Sequence, residues 1–194
     1  MKENTGLAVL HASKIDDVAT ARYAIQEGKV DLVGMTRAHM ADPHIVLKVI
    51  EEREEQIRPC VGATFCLDGI YENGEALCVH NAATGREAIM PHKVLPAEKH
   101  RKIIVIGAGP AGLEAARVAG ERGHEVTVFE AMPKAGGQIA LTVRNKRRQD
   151  FQGVVDWRLA ELDRLGVEII YDHIAEQEDI SALNPDVVIV ATGG

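Results

Sequence analysis

A glycine-rich segment carries the clearest chemical signal in the sequence. Gly107, Gly109 and Gly112 follow a β-branched run that predicts a buried strand, and they open an alanine-rich run that predicts a helix. In such a turn the first glycine permits the sharp bend, the second lets a pyrophosphate approach the backbone, and the third lets the helix pack against the strand. The amino end of the helix attracts the negative charge. This turn, which includes Pro110 and Ala111, therefore predicts a dinucleotide-binding site.

Two further features extend this predicted site. Glu130 ends the next predicted strand, where an acid accepts hydrogen bonds from the adenosine ribose and repels a 2′-phosphate. The pair Gly136 and Gly137, followed by Gln138, comes shortly afterwards. We expect Gly137 and Gln138 to contribute to the cofactor site, and a simple surface turn is the alternative.

The second chemical signal is a group of three cysteines, Cys60, Cys66 and Cys78, in a short glycine-containing segment. Thiolates are soft ligands, and this close spacing lets several sulfurs converge on one iron–sulfur cluster. A fourth thiolate is missing, because Ala63 occupies the position where it would fit the spacing. Two alternatives stay open: small buried apolar cysteines, and a zinc ion held by three cysteines and a histidine such as His80.

The elements that must position these residues fall into three stretches. Residues 1–56 predict strands near 7–11 and 30–34 and helices near 18–26 and 43–56, with a polar turn before the last helix. Residues 57–100 predict an irregular segment and a linker. Residues 101–194 predict strands near 103–106, 125–130, 167–171 and 187–191 and helices near 110–122 and 152–165. This alternation predicts an α/β fold with parallel strands and right-handed crossovers.

Composition excludes several classes of protein. The 194 residues are 46% hydrophobic and 26% charged, which is typical of a globular chain rather than a disordered or coiled-coil one. The net charge of -7 provides no cationic field to attract nucleic acid or an anionic membrane. No apolar run approaches the roughly 20 residues of a membrane helix, and no signal pattern opens the chain. We therefore expect a cytoplasmic protein that binds neither nucleic acid nor membrane.

Together, these motifs resemble a known family. The segment Arg58-Pro59-Cys60-Val61-Gly62, the later cysteines, the run from His80 to Glu87 and the glycine-rich turn are similar to the multi-cofactor flavoenzyme family of trimethylamine dehydrogenase and 2,4-dienoyl-CoA reductase. The resemblance implies an FMN-binding TIM barrel, an iron–sulfur loop and a Rossmann-like domain for FAD or ADP, followed by an NAD(P)-type domain. It assigns residues 1–56 to the last two βα units of the barrel, 57–100 to the iron–sulfur loop and linker, and 101–194 to an incomplete FAD/NAD(P)-binding domain.

The resemblance also implies contacts to the FMN phosphate. Loops after the seventh and eighth strands of such barrels often hold a phosphate. The matching positions are Ala12 and Ser13 after the first strand, and Gly34, Thr36 and Arg37 after the second. The resemblance implies that the Arg37 guanidinium binds the phosphate. A solvated surface charge is the alternative for Arg37.

The same resemblance makes Cys60, Cys66 and Cys78 ligands of an iron–sulfur cluster. The family has a fourth cysteine where this chain has Ala63, so a 3Fe–4S cluster, a 4Fe–4S cluster with a non-cysteine ligand, or no cluster are all open. Asp68 and His80 are candidates for that other ligand. We expect both of these side chains to be surface or hydrogen-bonding residues instead.

The implied function is a flavin-dependent oxidoreductase. The similar subgroup, on the segments CVGATFCLD and LCVHNAATGRE, demethylates N-methylated amines or amino acids, with electrons passing from FMN to the cluster. An NAD(P)H-dependent enoyl reductase is the alternative within the family. A non-catalytic ADP-binding module is an alternative of another class, and a glutamate-synthase-like flavoprotein subunit, which predicts no barrel strands before Arg58, is a third.

The family further implies a small-molecule substrate, an electron-transfer protein partner and a homo-oligomer at full length. The sequence indicates no catalytic acid or base. Two barrel strands and part of a flavin domain would leave apolar edges exposed, so we expect these 194 residues to be part of a longer enzyme and, when isolated, inactive and weakly stable.

Overall fold

The structure is a computed structural model that describes residues 2–193. The chain divides into two compact units, one ending at His92 and the other beginning at Lys93. Both units are α/β, as predicted, and every strand pair described in them is parallel. Within residues 2–193, no helix is both long and apolar enough to cross a membrane.

The first unit begins with a strand, a helix and a second strand. Its elements are β1 (Leu10–His11), α1 (Val18–Gln26), β2 (Leu32–Val33), α2 (Thr36–Ala41), α3 (Ile45–Ile50) and α4 (Phe65–Asn73), with 3₁₀ turns at Lys2–Asn4 and Glu54–Gln56. Leu10 lies opposite Leu32 in the two-stranded parallel sheet. The Asp17 side chain accepts a hydrogen bond from Thr20 N and so begins α1 where the sequence predicts it. Parallel strands do precede Arg58, which disfavours the glutamate-synthase-like alternative.

Three predictions for this unit are wrong. The expected polar turn after β2 is helical, because α2 forms there. The helix expected over residues 43–56 ends at Ile50, since Glu52 adopts a left-handed conformation with φ of 55°. Residues 57–100 are not irregular throughout, because α4 forms within them and ends at the left-handed Gly74.

The second unit is built around a four-stranded parallel sheet in the order β5-β4-β3-β6. Its elements are β3 (Lys102–Ile106), α5 (Pro110–Glu121), β4 (Glu125–Phe129), α6 (Ile139–Thr142), a 3₁₀ segment (Lys146–Gln152), α7 (Gly153–Arg164), β5 (Glu168–Ile170), α8 (Gln177–Leu183) and β6 (Val187–Val190). Ile103 of β3 lies opposite Val126 on one side and Val187 on the other. The four predicted strands and the two longer helices are confirmed, whereas α6 and α8 are too short for a helical period to show in the sequence.

An apolar core between the sheet and helices α5 and α7 fixes the ends of the strands. Val105, Leu113 and Val128 are completely buried in it. Trp157 of α7 is buried too. This core sets the position from which the chain leaves β3, and the glycine-rich turn begins at that point.

Candidate cofactor and metal sites

The glycine-rich turn connects the carboxyl end of β3 to the first residue of α5. Gly107 has a φ of 102°, and a Cβ on it would lie 2.6 Å from the carbonyl oxygen of Ala191. A Cβ on Gly112 would lie 1.9 Å from the carbonyl oxygen of Gly107. Both positions therefore require glycine for the packing of the turn itself, as the sequence predicts for the first and third glycines.

Gly109 differs from the other two glycines because the protein itself leaves room beside it. A Cβ on Gly109 would meet only the Cα of Gly137, at 3.9 Å, and its φ of -71° is open to any residue. Gly109 is also the N-cap residue of α5, and its first turn has no side-chain cap and no acidic residue. This arrangement suits the close approach of an anion to the backbone at a helix amino end.

The second glycine pair folds against the glycine-rich turn. Gly136 is buried, and its N–H donates a hydrogen bond to the carbonyl oxygen of Ala108 over 2.8 Å. Gly137 has a φ of 49°, and a Cβ on it would lie 3.1 Å from Gly109 Cα. Gln138 follows as the exposed N-cap residue of α6. The structure thus brings the glycine-rich turn, Gly137 and Gln138 to one end of the sheet.

Glu130 immediately follows β4 and is only 8% exposed. Its Oε2 accepts a hydrogen bond from Ala108 N over 2.6 Å, and its Oε1 accepts one from Met132 N over 2.8 Å. Each carboxylate oxygen has a further lone pair, so acceptance from a ribose hydroxyl is compatible with these bonds. The sequence does not predict the hydrogen bond to Ala108, because the spacing of residues in a motif does not specify tertiary hydrogen bonds.

In the first unit, the residues assigned to the FMN phosphate lie where β1 and β2 end. Gly34 N donates to the carbonyl oxygen of His11 over 2.9 Å, and a Cβ on Gly34 would lie 2.8 Å from the Cβ of Ala12. Ser13 is exposed in the following loop, and Thr36 is the first residue of α2. The structure therefore brings Ala12 and Gly34 directly together.

Arg37 takes a position that the sequence does not predict. It lines a pocket together with all three cysteines and His80. The other lining residues are Met40, Val61, Gly62, Ala63, Thr64, Phe65, Leu77 and Val79. The carboxyl end of β2 and the cysteine segment thus contribute side chains to one pocket of the first unit.

The three cysteines are free and half-buried. Burial raises the pKa of the Cys60 thiol, and the Gly62 N–H and the charge of Arg37 act in the opposite direction without cancelling it. Within residues 2–193 no three His, Cys, Asp or Glu side chains are close enough together to hold a single metal ion. A cluster is larger, because each thiolate binds a different iron, so three thiols around one pocket fit a cluster better than a zinc ion.

The candidates for a fourth ligand differ in their surroundings. Ala63, where the spacing would place a fourth cysteine, lines the cysteine pocket. Asp68 is an exposed residue of α4, as expected. His80 is only 2% exposed, and its Nδ1 lies 2.9 Å from the carbonyl oxygen of Pro59. His80 is therefore a hydrogen-bonding residue, also as expected.

Comparison with known proteins gives matches along the whole chain. Residues 105–159 match the family model of an NAD(P)-binding Rossmann-like domain. The chain is 61% identical, over 98% of its length, to a probable N-methylproline demethylase of Rhizobium meliloti (strain 1021). It is 51% identical, over its full length, to a multifunctional alkene reductase/demethylase of Caballeronia cordobensis. The chain is a relative of these oxidoreductases. It spans 28% of the length of each.

A solved structure gives the same result. Histamine dehydrogenase from Rhizobium sp. 4-9 matches 99% of this chain with a TM-score of 0.92 and 28% sequence identity, and the match covers 28% of that enzyme. The resemblance to the family of trimethylamine dehydrogenase is thereby confirmed. A nucleotide-binding Rossmann-like domain is also established for the second unit.

Proposed function

We propose that the chain is part of a cytoplasmic flavin-dependent oxidoreductase that demethylates an N-methylated amine or amino acid. One observation carries this proposal. This chain, which is a relative of the demethylases, has both three thiols around one pocket and a Rossmann glycine-rich turn. The chain spans 28% of those relatives, so the activity belongs to the complete protein.

The second unit would hold FAD or ADP. Gly109 offers open backbone to the diphosphate, while Gly107, Pro110, Ala111 and Gly112 shape the turn around it. Glu130 would accept hydrogen bonds from the adenosine ribose, and Gly137 and Gln138 would border the same cofactor. An acid at this place disfavours a 2′-phosphate because the two negative charges repel each other.

The first unit would supply the end of an FMN-binding barrel. A parallel sheet of two strands is below the size at which such sheets are stable alone, which supports a larger barrel. Ala12, Ser13, Gly34 and Thr36 would line the phosphate site there. Arg37 would bring its charge both to the phosphate and to the cysteine pocket, which it lines.

Cys60, Cys66 and Cys78 would hold an iron–sulfur cluster, of 3Fe–4S type or of 4Fe–4S type with one ligand that is not cysteine. Such a cluster passes electrons one at a time, whereas a flavin accepts two together. The half-buried pocket would limit solvent access to the thiolates. Electrons leaving an amine dehydrogenase need an acceptor, so we also propose an electron-transfer protein as partner. The full-length protein would be a homo-oligomer.

An enoyl reductase is the second candidate, because the Caballeronia relative is named both alkene reductase and demethylase. Anaerobic single-turnover experiments on the full-length protein distinguish the two. We expect that adding N-methylproline or dimethylglycine bleaches the flavin and yields formaldehyde together with the demethylated amino acid. Bleaching by NAD(P)H, followed by reoxidation with a conjugated enoyl substrate and no response to the amines, would overturn it.

A further inference from the structure

The first unit buries four polar side chains among its described residues, and all four border the cysteine segments. They are Asp42, His80, Asn81 and Thr84, and they are 3%, 2%, 4% and 7% exposed. Burying a polar group costs free energy unless the group is hydrogen-bonded. The hydrogen-bond partners of these four side chains therefore show which segments the side chains connect.

His80 joins the two cysteine-bearing segments to each other. Its Nδ1 lies 2.9 Å from the carbonyl oxygen of Pro59, the residue immediately before Cys60. Because a carbonyl oxygen only accepts, Nδ1 must carry the proton and donate it. On its own side, His80 lies two residues after Cys78, and its backbone N–H lies 3.4 Å from the Cys78 Sγ. One buried imidazole therefore connects the segment before Cys60 to the segment after Cys78.

Asp42 holds the Cys60 segment to the turn between α2 and α3. Its Oδ2 accepts hydrogen bonds from Arg58 N over 2.9 Å and from Lys48 Nζ over 2.6 Å. Its Oδ1 accepts one from His44 N over 3.0 Å. Lys48 Nζ also donates to the carbonyl oxygen of Gln56, over 2.7 Å. The chain from Gln56 to Arg58 is thus fixed just before it enters the cysteine pocket.

Asn81 and Thr84 make a third connection, to α2. Asn81 Nδ2 and Thr84 Oγ1 both donate to the carbonyl oxygen of Met40, over 3.1 Å and 2.5 Å. Met40 itself lines the cysteine pocket. The segment after Cys78, the segment before Cys60 and α2 are therefore tied together by buried polar groups that need no metal.

We propose that His80 and Asp42 are positioning residues that hold Cys60 and Cys78 at a fixed spacing before a cluster is inserted. The proposal deepens the assignment of a cluster to these cysteines and rests on it. In this role His80 acts through Nδ1 and the Pro59 carbonyl, and it is not itself a ligand.

The test uses the full-length protein with its iron removed, and the variants His80→Leu and His80→Asn. An asparagine amide can donate to the Pro59 carbonyl in place of Nδ1, whereas leucine cannot. His39→Leu is the matched control, because His39 is an exposed residue of α2. The first readout is the rate at which dibromobimane, a reagent with two thiol-reactive arms, joins Cys60 to Cys78, located by peptide mass spectrometry. The second is iron and sulfide content after anaerobic reconstitution.

We expect His80→Leu to lower the cross-linking rate about tenfold, because the half-buried Pro59 carbonyl loses its donor and the segment shifts. His80→Asn should stay within about threefold of the wild type and should retain iron, since the hydrogen bond is replaced. Wild-type cross-linking and full reconstitution in His80→Leu would overturn the proposal. Normal cross-linking with loss of iron in His80→Asn would also overturn it, by making the imidazole a ligand.

Asp42→Asn gives an independent test if His80→Leu does not fold. Asparagine keeps one acceptor oxygen, but its amide nitrogen cannot accept the hydrogen bonds that the second carboxylate oxygen accepts. Cross-linking rate and iron content should therefore both fall relative to the exposed control Asp163→Asn. Equal values for these two variants would overturn the role of Asp42. A wild-type protein that binds no iron, yet cross-links in a His80-dependent way, would refute the cluster and leave the positioning role intact.

Discussion

The backbone N–H of Ala108 donates a hydrogen bond to Oε2 of Glu130 over 2.6 Å, so the acid at the end of β4 holds the glycine-rich turn at the end of β3. The acid assigned to ribose recognition is thus also part of the turn's own structure. The two roles are compatible, since a carboxylate has about four acceptor sites. Changes to the turn should therefore separate into those that affect its packing and those that affect its ligand.

Gly109→Ala should impair the ligand and spare the fold. A Cβ at this position meets nothing closer than 3.9 Å, and the backbone conformation suits alanine. We expect the cofactor-free protein to unfold with an unchanged free energy, or one higher by up to about 1 kcal/mol. Affinity for FAD or ADP, measured by calorimetry, should fall at least about tenfold, the equivalent of one charge-assisted hydrogen bond. Wild-type affinity in this variant would contradict the assigned diphosphate site.

Gly112→Ala should have the opposite pattern. Its Cβ would lie 1.9 Å from the carbonyl oxygen of Gly107, which is backbone and not easily displaced. We expect a loss of about 3 kcal/mol or more in the free energy of unfolding, because the helix must move away from the strand. Chemical denaturation of the cofactor-free protein measures this loss, with Gly109→Ala as the control. An equal midpoint for the two variants would show that the turn is packed differently.

Glu130→Gln should affect both the fold and the choice of nucleotide. A glutamine accepts through only one of its two terminal atoms, so the N–H of Ala108 or of Met132 loses its partner at a cost of about 1–3 kcal/mol in stability. Removal of the charge should also reduce the discrimination against 2′-phosphorylated nucleotides by about tenfold. Thermal unfolding and competition binding measure the two effects, and Glu168→Gln, at an exposed position of β5, is the control. No change in nucleotide preference would remove Glu130 from the ribose site.

The ion pair of Asp42 should appear in the pH dependence of stability. Burial acts to raise the pKa of Asp42, but hydrogen bonds from Lys48 Nζ and Arg58 N outweigh it, and the pKa lies below its ordinary value. A lowered folded-state pKa contributes stability above the unfolded-state pKa of about 4, and this contribution is lost as the pH falls through the folded-state value.

We therefore expect the free energy of unfolding to fall more steeply below about pH 4 in the wild type than in Asp42→Asn, which has no proton to gain there. Urea titrations at a series of pH values measure the two slopes. Parallel slopes in this range would mean that Asp42 does not make its buried ion pair in solution.

The sequence predicts best where several local signals agree. Helix α1 lies at residues 18–26, as predicted, because Asp17 caps its amino end and Gly28, with a φ of 62°, follows its carboxyl end. The strands of the second unit are equally clear, and the β-branched run of β3 is buried from Ile103 to Val105, as in the interior of a parallel sheet. The glycine-rich turn follows from these elements and from the spacing of its glycines.

Other features depend on contacts that no local pattern contains. Helix α2 has only six residues, too few for a helical period to be recognised. The hydrogen bonds from Gly136 to Ala108 and from His80 to Pro59 join segments about 20 or more residues apart, and only the folded chain brings them together. For the same reason, the family resemblance implies a phosphate role for Arg37 but not its position beside Cys60.

The proposed function requires that the three cysteines and the glycine-rich turn serve one redox enzyme. The most direct measurement is the flavin, iron and sulfide content of the full-length protein purified without oxygen, together with its absorption spectrum before and after dithionite. We expect a flavin spectrum that dithionite bleaches and about three or four iron atoms per chain, and we expect Cys60→Ser to lose the iron. A colourless, iron-free protein with no affinity for FAD or ADP would contradict the proposed function.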